Sequence, residues 1–277
     1  VYQLKCYRLP EAAPQSLGKA MVNILPIEPD ETINTVMPMP ADQSSWDDLH
    51  IMFATVSGNI RRNRLSDFTN IMRNGKIAMK LDEGDELVGV APCSENDDVL
   101  LATRNGKAIR FAVDAVRVFR GRGSTGVRGI RLLGDDRVVS MSIISDIERE
   151  FVLSVTENGY GKRTAIGDYR RTGRGGQGVA NIETSDRNGR VMASFTVFEE
   201  DQLMLVTNHG QIIRIRVHGG EGDSIRIAGR KTQGVRLFDV SGDANERVVS
   251  AGLIRDADDD DDEGDAAGDE DNTADNA

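Results

Sequence analysis

The stretch "VLLATRNGKAIR", residues Val99–Arg110, contains the pattern that decides the fold of this chain. An apolar run leads into an Asn-Gly pair, and the run after the pair ends in an arginine. Two β-prone runs separated by such a pair are typical of a β-hairpin, because Asn and Gly adopt the positive φ angles of its turn at low cost. Closely similar strings are "IMFATVSGNIRR", "FVLSVTENGYGKR" and "LMLVTNHGQIIR". The predicted turn glycines are Gly58, Gly106, Gly159 and Gly210.

The turn glycines are 48, 53 and 51 residues apart, which defines a repeat of about 50 residues. Each unit also has a second glycine-rich basic loop and a closing apolar strand, as in "GSTGVRGIRL" and "DDRVVSM". Units of this length with four short strands are typical of propeller blades. Residues 1–37 match the second half of a unit. We therefore predict an all-β, propeller-like body over residues 1–254, with about five blades of which the first is truncated, and no long helix.

The net charge of −11 comes from the end of the chain. Residues 256–277 contain twelve acidic residues and no basic residue, and subtracting these from 45 leaves 33 acidic against 34 basic residues in the body. A block of like charges repels itself and has nothing to bury, so we expect residues 255–277 to be a disordered tail. The tail is either a solubiliser or a competitor with nucleic acid for the basic surface of the body.

Other features exclude several classes of protein. The two cysteines fit a reducing cytoplasm and form no disulfide framework, and the three scattered histidines form no metal-ligand pattern. No apolar run approaches the ~20 residues of a membrane span, and the N-terminus is not a signal peptide. Because the chain starts at Val1, we expect a fragment. We predict a cytoplasmic location, no membrane partner and no metal.

The glycine-rich stretch "RRTGRGGQGV", residues Arg170–Val179, has the G-x-G-x-x-G spacing of a dinucleotide-binding turn. That turn requires a following helix, whose N-terminus holds the pyrophosphate, and "VANIETSDRNG" leaves no room for one. A Walker loop requires Lys and Ser or Thr where this chain has Val179 and Ala180. The same spacing begins 52 residues earlier, at Gly121. The motif is therefore a repeat position, and we expect no nucleotide cofactor.

An arginine follows each turn glycine by four residues, and equivalent residues of successive blades lie along one rim of a propeller. A curved basic surface suits duplex DNA, whose backbone carries closely spaced phosphates. Few aromatic residues interleave with these arginines, which disfavours single-stranded nucleic acid as the partner. Because the sequence contains no base-reading module, we predict low sequence specificity. The alternative is that the arginines pair with acids and that the glycines only make turns. The predicted DNA-binding residues are Arg61, Arg62, Lys76, Lys107, Arg110, Arg122, Arg128, Lys162, Arg163, Arg170, Arg171, Arg174, Arg214, Arg216, Arg230 and Lys231.

Several long strings, in order, resemble the C-terminal domain family of bacterial DNA gyrase A over residues 1–254. They include "VYQLKCYRLPEA", "GKAMVNILPIEPDE", "FATVSGNIRRNRLSDF", "STGVRGIRL", "TENGYGKRTAIGDYRR" and "RKTQGVRLF". The resemblance implies a six-bladed β-pinwheel that wraps duplex DNA for a type II topoisomerase, which introduces negative supercoils with ATP. The family's acidic tail is also similar.

The resemblance further implies that this part has no catalytic residue. The DNA-cleaving tyrosine and the ATPase belong to other regions, so ATP and Mg²⁺ serve the whole enzyme. The implied partners are gyrase B and the N-terminal part of gyrase A, in an A2B2 assembly associated with the bacterial nucleoid.

One departure concerns the family's hallmark box, Gln-Arg-Arg-Gly-Gly-Lys-Gly, which belongs ahead of Val1. Arg171–Gly178 resembles a degenerate copy of that box. Two alternatives stay open: the related C-terminal domain of topoisomerase IV, and a protein-binding propeller without a nucleic-acid role.

Overall fold

The computed structural model describes residues 1–13, 16–28, 31, 33–121, 123–220, 224–240 and 245–254. Arg122 and the acidic segment predicted as a tail, residues 255–277, lie outside the described residues. The described chain forms fifteen β-strands and six short 3-10 helices, and none of these helices has the length and apolar character needed to span a membrane. The predicted all-β class without long helices is confirmed.

In chain order the strands are β1 (His50–Thr55), β2 (Asn59–Arg64), β3 (Leu87–Cys93), β4 (Asp98–Thr103), β5 (Lys107–Ala112), β6 (Val127–Arg128), β7 (Val138–Ile144), β8 (Phe151–Thr156), β9 (Tyr160–Ala165), β10 (Val179–Ala180), β11 (Val191–Val197), β12 (Gln202–Thr207), β13 (Ile212–Arg216), β14 (Val235–Arg236) and β15 (Val248–Ile254). The 3-10 helices are Cys6–Arg8, Met21–Asn23, Gln43–Asp47, Leu65–Phe68, Val113–Ala115 and Ile166–Asp168.

The predicted hairpins are present in all four units. In the first, the Gly58 amide donates a 2.9 Å hydrogen bond to the Thr55 carbonyl, and Gly58 has a φ of 86°. The glycines of the other hairpins, Gly106, Gly159 and Gly210, make the equivalent bond to a threonine at 3.0 to 3.1 Å. In each unit the backbone carbonyl of a threonine three residues before the glycine thus accepts the bond that closes the tight turn between the two central strands.

The strands form four antiparallel sheets, ordered β3-β1-β2-β6, β10-β5-β4-β7, β11-β8-β9-β14 and β13-β12-β15. We number them blades 1 to 4. The two-residue strands β6, β10 and β14 belong by sequence to the unit after the blade that they join. Consecutive blades are thus tied together by strand exchange, at the pairs Ile60–Val127, Ala108–Val179 and Gly161–Val235.

A glycine immediately precedes each exchanged strand, and the geometry requires it. Gly126, Gly178 and Gly234 have φ values of 88°, 74° and 78°. A Cβ atom on these residues would lie only 2.2, 2.4 and 2.5 Å from a carbonyl oxygen of the host strand. The repeated glycine therefore permits both a left-handed backbone and close contact between neighbouring blades.

Residues 1–8 take the place of the second strand of a further unit. Val1 and Lys76 exchange two backbone hydrogen bonds of 2.9 Å, and Lys76 follows Gly75 as Val127 follows Gly126. The chain then enters the 3-10 helix Cys6–Arg8, as β2 leads into its own 3-10 helix. The described part of residues 1–37 contains no strand of its own. Its likeness to the second half of a unit is limited to the Val1–Lys76 pairing and the 3-10 helix, and the predicted truncated blade stays a prediction.

The core lies between the blades. Leu101 packs with Met52 of blade 1, whereas its neighbour Leu100 packs with Val152 of blade 3. Every residue of β4 is buried, because alternate side chains face the sheets on either side. In blade 4, Leu203 is buried against blade 3, but Met204 on the other face is exposed. The sheets therefore stack face to face, with their edges available for loops.

Candidate nucleic-acid interface

Three glycine-rich segments carry the chain into the exchanged strands, and we call them the interblade loops. Loop 1 comprises residues 117–121 and 123–126, loop 2 residues 170–178 and loop 3 residues 226–234. Each loop forms a parallel bridge with the second strand of the preceding blade, at the pairs Arg62–Val118, Arg110–Arg171 and Arg163–Ile227. The stretch "RRTGRGGQGV" is loop 2 with the first residue of β10. The repeat thus places three similar basic loops at equivalent edges of successive blades.

Three of the four repeated arginines lie inside the protein. Arg62, Arg110 and Arg163 are only 4%, 7% and 3% exposed. Arg110 Nε donates a 2.7 Å bond to the buried carboxylate of Asp98. These side chains do not form the exposed arc that the sequence predicted, because the second strand of each blade is covered by the loop that bridges to it. The fourth arginine of the set, Arg214, is exposed and donates a 2.5 Å bond to Gln202 Oε1.

Arg62 and Arg163 also bind acidic residues. Arg62 Nη1 lies 3.4 Å from Glu95 Oε1, and Arg163 Nη1 lies 3.0 Å from Glu199 Oε1. Arg163 Nε donates a further bond of 2.8 Å to the Ile225 carbonyl, just ahead of loop 3. For these two side chains, the alternative prediction that the arginines pair with acidic residues is the one that holds.

Two buried cations hold the interblade loops from the inside of the protein: Arg61 holds loop 1 and Lys162 holds loop 3. Both side chains are 0% exposed. Arg61 Nη1 donates to the carbonyl oxygen of Ser124 at 2.8 Å, Arg61 Nη2 donates to the Gly121 carbonyl, and the guanidinium lies over the Phe119 ring. Lys162 Nζ donates to the Gly229 carbonyl at 2.7 Å. Burial, with a smaller contribution from a nearby guanidinium, lowers the pKa of Lys162 to about 8. The two side chains hold the loop backbones and do not face solvent.

Blade 2 has Ile109 where the neighbouring blades have Arg61 and Lys162. A cleft of about 330 Å³ lies here between β5 and loop 2, lined by Ile109, Arg170, Thr172 and the loop glycines. Loop 2 is held by its own arginines instead. Arg171 Nε lies 2.8 Å from Asp98 Oδ1, and Arg174 Nε donates a 3.0 Å bond to the Ala115 carbonyl. Both Arg171 and Arg174 are exposed over much of their surface, so they can also meet an anion.

The other predicted cations divide by exposure. Lys76 and Arg230 are half-buried: Lys76 lies over the Phe68 ring, and Arg230 Nη1 donates a 2.9 Å bond to the Ala180 carbonyl. Arg122 is outside the described residues. The exposed members of the predicted set, besides Arg171, Arg174 and Arg214, are Lys107, Arg128, Arg170, Arg216 and Lys231.

Sequence reasoning missed a repeated arginine that does face solvent. Arg117, Arg170 and Arg226 each stand one residue before the bridge residue of their loop, and all three are exposed. Only Arg170 was in the predicted set. The signal was available as arginines 53 and 56 residues apart, but the three share no single offset from the turn glycines: Arg117 and Arg170 stand 11 residues after Gly106 and Gly159, and Arg226 stands 16 after Gly210. Neighbouring Arg120 is exposed as well.

Comparison with known proteins identifies the family. The family described as "DNA gyrase C-terminal domain, beta-propeller" matches residues 49–94, 97–145, 150–197 and 201–255, which are the four blades. The chain belongs to this family. Matching each blade separately agrees with the repeat found in the sequence.

The most similar relatives include DNA gyrase A of Rickettsia bellii, 43% identical over 309 residues that cover 95% of this chain and 33% of the relative. DNA gyrase A of Granulibacter bethesdensis is 42% identical over 326 residues, 96% of this chain and 34% of the relative. The chain therefore spans about a third of the length of these gyrase proteins.

Two solved structures share the fold of this gyrase C-terminal domain. The C-terminal domain of DNA topoisomerase IV superposes with a TM-score of 0.77 and 25% identity, over 90% of this chain and 74% of that one. The DNA gyrase A C-terminal domain superposes with a TM-score of 0.72 and 24% identity, over 86% and 75%. The fold is common to both kinds of topoisomerase, whereas the close sequence relatives are gyrase proteins.

Proposed function

We propose that this domain binds duplex DNA along the three interblade loops, chiefly through Arg117, Arg170 and Arg226. The observation that carries the proposal is that one exposed arginine recurs at the same position of each loop. Family membership supports it, since the relatives are named as components of DNA gyrase. Exposed Arg171, Arg174, Lys107, Arg128, Arg216 and Lys231 extend the basic surface around this set.

The chemistry favours phosphate contacts over base reading. Guanidinium groups match phosphate oxygens in bidentate geometry, and neutralised phosphates release counterions into solution. Blades that follow one another at an angle carry their loops along a curved line, so a duplex that contacts all three must bend. Binding is then strongly salt-dependent and nearly independent of sequence.

The buried cations serve this surface indirectly. Arg61 and Lys162 hold loops 1 and 3 through their carbonyl groups, and Arg110 with Asp98 anchors the base of loop 2. A loop with a fixed backbone loses little conformational freedom when its arginines bind DNA. Of the residues predicted from the sequence, Arg61, Arg62, Arg110, Lys162 and Arg163 thus act as positioning residues, not as phosphate ligands.

In the whole protein, we infer that the domain is the C-terminal part of DNA gyrase A. By bending one DNA segment, it supports the ATP-dependent introduction of negative supercoils by an assembly with gyrase B in the bacterial cytoplasm. The cleavage and ATPase chemistry, with Mg²⁺, belongs to the other regions of that assembly. A second candidate is the corresponding C-terminal domain of topoisomerase IV, which the superposition favours.

An electrophoretic shift with a duplex at graded salt tests DNA binding. We expect binding that weakens steeply as salt rises and is equal for unrelated duplex sequences. Lack of a shift at low salt would remove the proposal in favour of a protein-binding propeller. Supercoiling of relaxed plasmid by the reconstituted assembly, against decatenation alone, separates the two topoisomerase candidates.

A further inference from the structure

We propose that Tyr160, Arg187 and Arg236 form a phosphate-binding site on blade 3, and that its ligand is a phosphodiester group of duplex DNA. The inference rests on the proposed function, because it adds a contact to the same DNA. The site lies outside the interblade loops, at the hairpin-turn end of β9. It belongs to blade 3 alone, since the residues equivalent to Tyr160 in the other blades are Asn59, Lys107 and Gln211.

The three side chains come together from three segments. Tyr160 is the first residue of β9, and Arg236 of the exchanged strand β14 pairs with it directly. Arg187 comes from the loop ahead of β11, whose backbone is fixed by a 3.1 Å bond from Asn158 Nδ2 to the Arg187 carbonyl. The phenol oxygen accepts from Arg187 Nε at 3.3 Å and from Arg236 Nη2 at 3.5 Å. The phenol thus gathers two guanidinium groups at one point.

Both guanidiniums also lie over the phenol ring, at 5.1 Å for Arg187 and 5.8 Å for Arg236. Tyr160 is only 7% exposed, so its ring is a fixed platform under two exposed cations. Cation–π contact with a rigid ring limits the motion of each guanidinium and does not itself occupy any N–H donor. The arrangement restrains both arginines, and among the described residues Arg187 is hydrogen-bonded only through its Nε, to the phenol.

The charge of this cluster is not balanced. Arg236 Nη1 lies 3.1 Å from the exposed carboxylate of Asp239. In the part of the chain that the structure describes, no carboxylate pairs with Arg187. The two guanidiniums thus contact one weakly accepting phenol together and one carboxylate through Arg236 alone. A phosphate diester supplies the missing negative charge. Its oxygens can accept hydrogen bonds from both guanidinium groups at once.

The site is continuous with the proposed DNA surface. Loop 3 runs directly into β14, and Arg236 lies six residues after Arg230 of that loop. An extended chain rises by at most ~3.6 Å per residue, so the two α-carbons are within about 22 Å of each other. Phosphates on one DNA strand recur every ~3.4 Å along the axis. A duplex lying on loop 3 therefore reaches the cluster within about six base pairs.

The ionisation of Tyr160 agrees with a surplus of positive charge. Hydrogen bonds from Arg236 and Arg187 are the main reason that the pKa of its phenol lies below the ordinary value. An anion bound between the guanidiniums would cancel their effect on the phenol. Tyr160 is thus a built-in reporter of occupancy, and Tyr160→Phe identifies its signal among the four tyrosines.

The first test is the salt dependence of duplex binding by Arg187→Gln, Arg236→Gln and the double variant. If both arginines share one phosphate, each single change weakens binding but keeps most of the slope of log K against log salt, because the other arginine still neutralises the phosphate, and the double change lowers the slope by about 0.9. The control is Arg149→Gln, an exposed arginine over the Phe198 ring that already pairs with Glu200. We expect its slope to equal that of the unchanged chain. A double variant with an unchanged slope, or one that loses about 1.8 while each single variant loses about 0.9, would overturn the shared site.

The second test is titration of the Tyr160 phenol by ultraviolet absorbance, with a short duplex and with inorganic phosphate as separate probes. We expect the duplex to raise the pKa of the phenol in the unchanged chain but not in the double variant. A shift with inorganic phosphate and none with the duplex would mean a free-anion site and would contradict the proposal. Absence of all duplex binding by the unchanged chain would instead defeat the proposed function.

Discussion

Arg61 Nη1 donates a 2.8 Å hydrogen bond to the carbonyl oxygen of Ser124, a residue of the following repeat unit. The bond joins two blades at the point where the chain passes from one to the other. Arg61 is fully buried, so its charge is compensated by carbonyl dipoles and by Asn63 Oδ1, which accepts from its Nε at 2.8 Å. A cation that looks like a DNA contact in the sequence is instead part of the joint between blades.

We expect Arg61→Met to destabilise the domain and to loosen loop 1. The methionine fills much of the space but leaves the carbonyls of Gly121 and Ser124 without their donor. Losing hydrogen bonds from a buried charged donor costs about 2–3 kcal/mol in the free energy of unfolding. Urea denaturation followed by Trp46 fluorescence measures it, with Ile109→Met as the matched change in blade 2. Equal stability of the two variants would show that Arg61 does not hold the loop.

The stability of the domain should rise between about pH 8 and pH 10 because of Lys162. Its folded-state pKa is lowered to about 8, whereas an unfolded lysine has a pKa of ~10.4, so in this window the unfolded chain binds more protons. The charged form therefore penalises the folded state below pH 8, and the penalty is relieved as the pH rises.

The measurement is the difference in unfolding free energy between the unchanged chain and Lys162→Met at several pH values. Taking the difference removes the titration of other groups. We expect it to shift in favour of the unchanged chain from pH 8 upward, by at most ~1.4 kcal/mol per pH unit. A flat difference, or one that moves the other way, would mean that Lys162 keeps an ordinary pKa in the fold.

Ile109→Lys should give loop 2 the internal cation that loops 1 and 3 have. The lysine would enter the cleft beneath Thr172 and the loop glycines, at the position where Lys162 donates to the Gly229 carbonyl. We expect slower hydrogen exchange of the loop 2 amides, measured by mass spectrometry on proteolytic fragments. Ile109→Met is the control for filling the cleft without a charge. Equal exchange in the two variants would show that the cation is not what fixes these loops.

The hairpins could be predicted from the sequence because they are local. Thr55 and Gly58 lie three residues apart, and the equivalent hydrogen bond forms in each unit. A short stretch of sequence is therefore enough to predict the turn. The exchange of β6 into blade 1 could not be predicted in the same way. The exchange pairs two residues with a strand more than 60 positions earlier in the chain. The local sequence feature that accompanies it is the glycine at position 126.

The position of the arginines could be predicted, but not their exposure. Arg62 and Arg110 recur at a fixed offset, which suggests a common surface. In stacked sheets both faces of a central strand are covered, so the alternation that separates inside from outside is lost. Arg110 is buried beside the carboxylate of Asp98, because a buried guanidinium requires a charged partner. The exposed arginines of the three loops were missed because they share no single offset from the turn glycines.

Removal of the acidic segment should strengthen DNA binding at low salt. The segment carries twelve acidic residues and no basic residue over positions 256–277. Its charge competes with phosphate, and salt screens the competition beyond a Debye length of ~8 Å. We expect a chain ending at Arg255 to bind a duplex more tightly than the full chain, with a difference that shrinks as salt rises. Equal affinities at low ionic strength would leave the segment as a solubiliser.

The most direct test of the account is the salt slope of duplex binding by the triple variant Arg117→Gln, Arg170→Gln, Arg226→Gln. Its control is Arg104→Gln, Arg149→Gln, Arg190→Gln, which removes the same charge from arginines already paired with Glu157, Glu200 and Asp135. Three lost phosphate contacts predict a slope shallower by about 2.7, with the control close to the unchanged chain. A triple variant that keeps the full slope while remaining folded would contradict the assignment of the interblade loops as the DNA-binding surface.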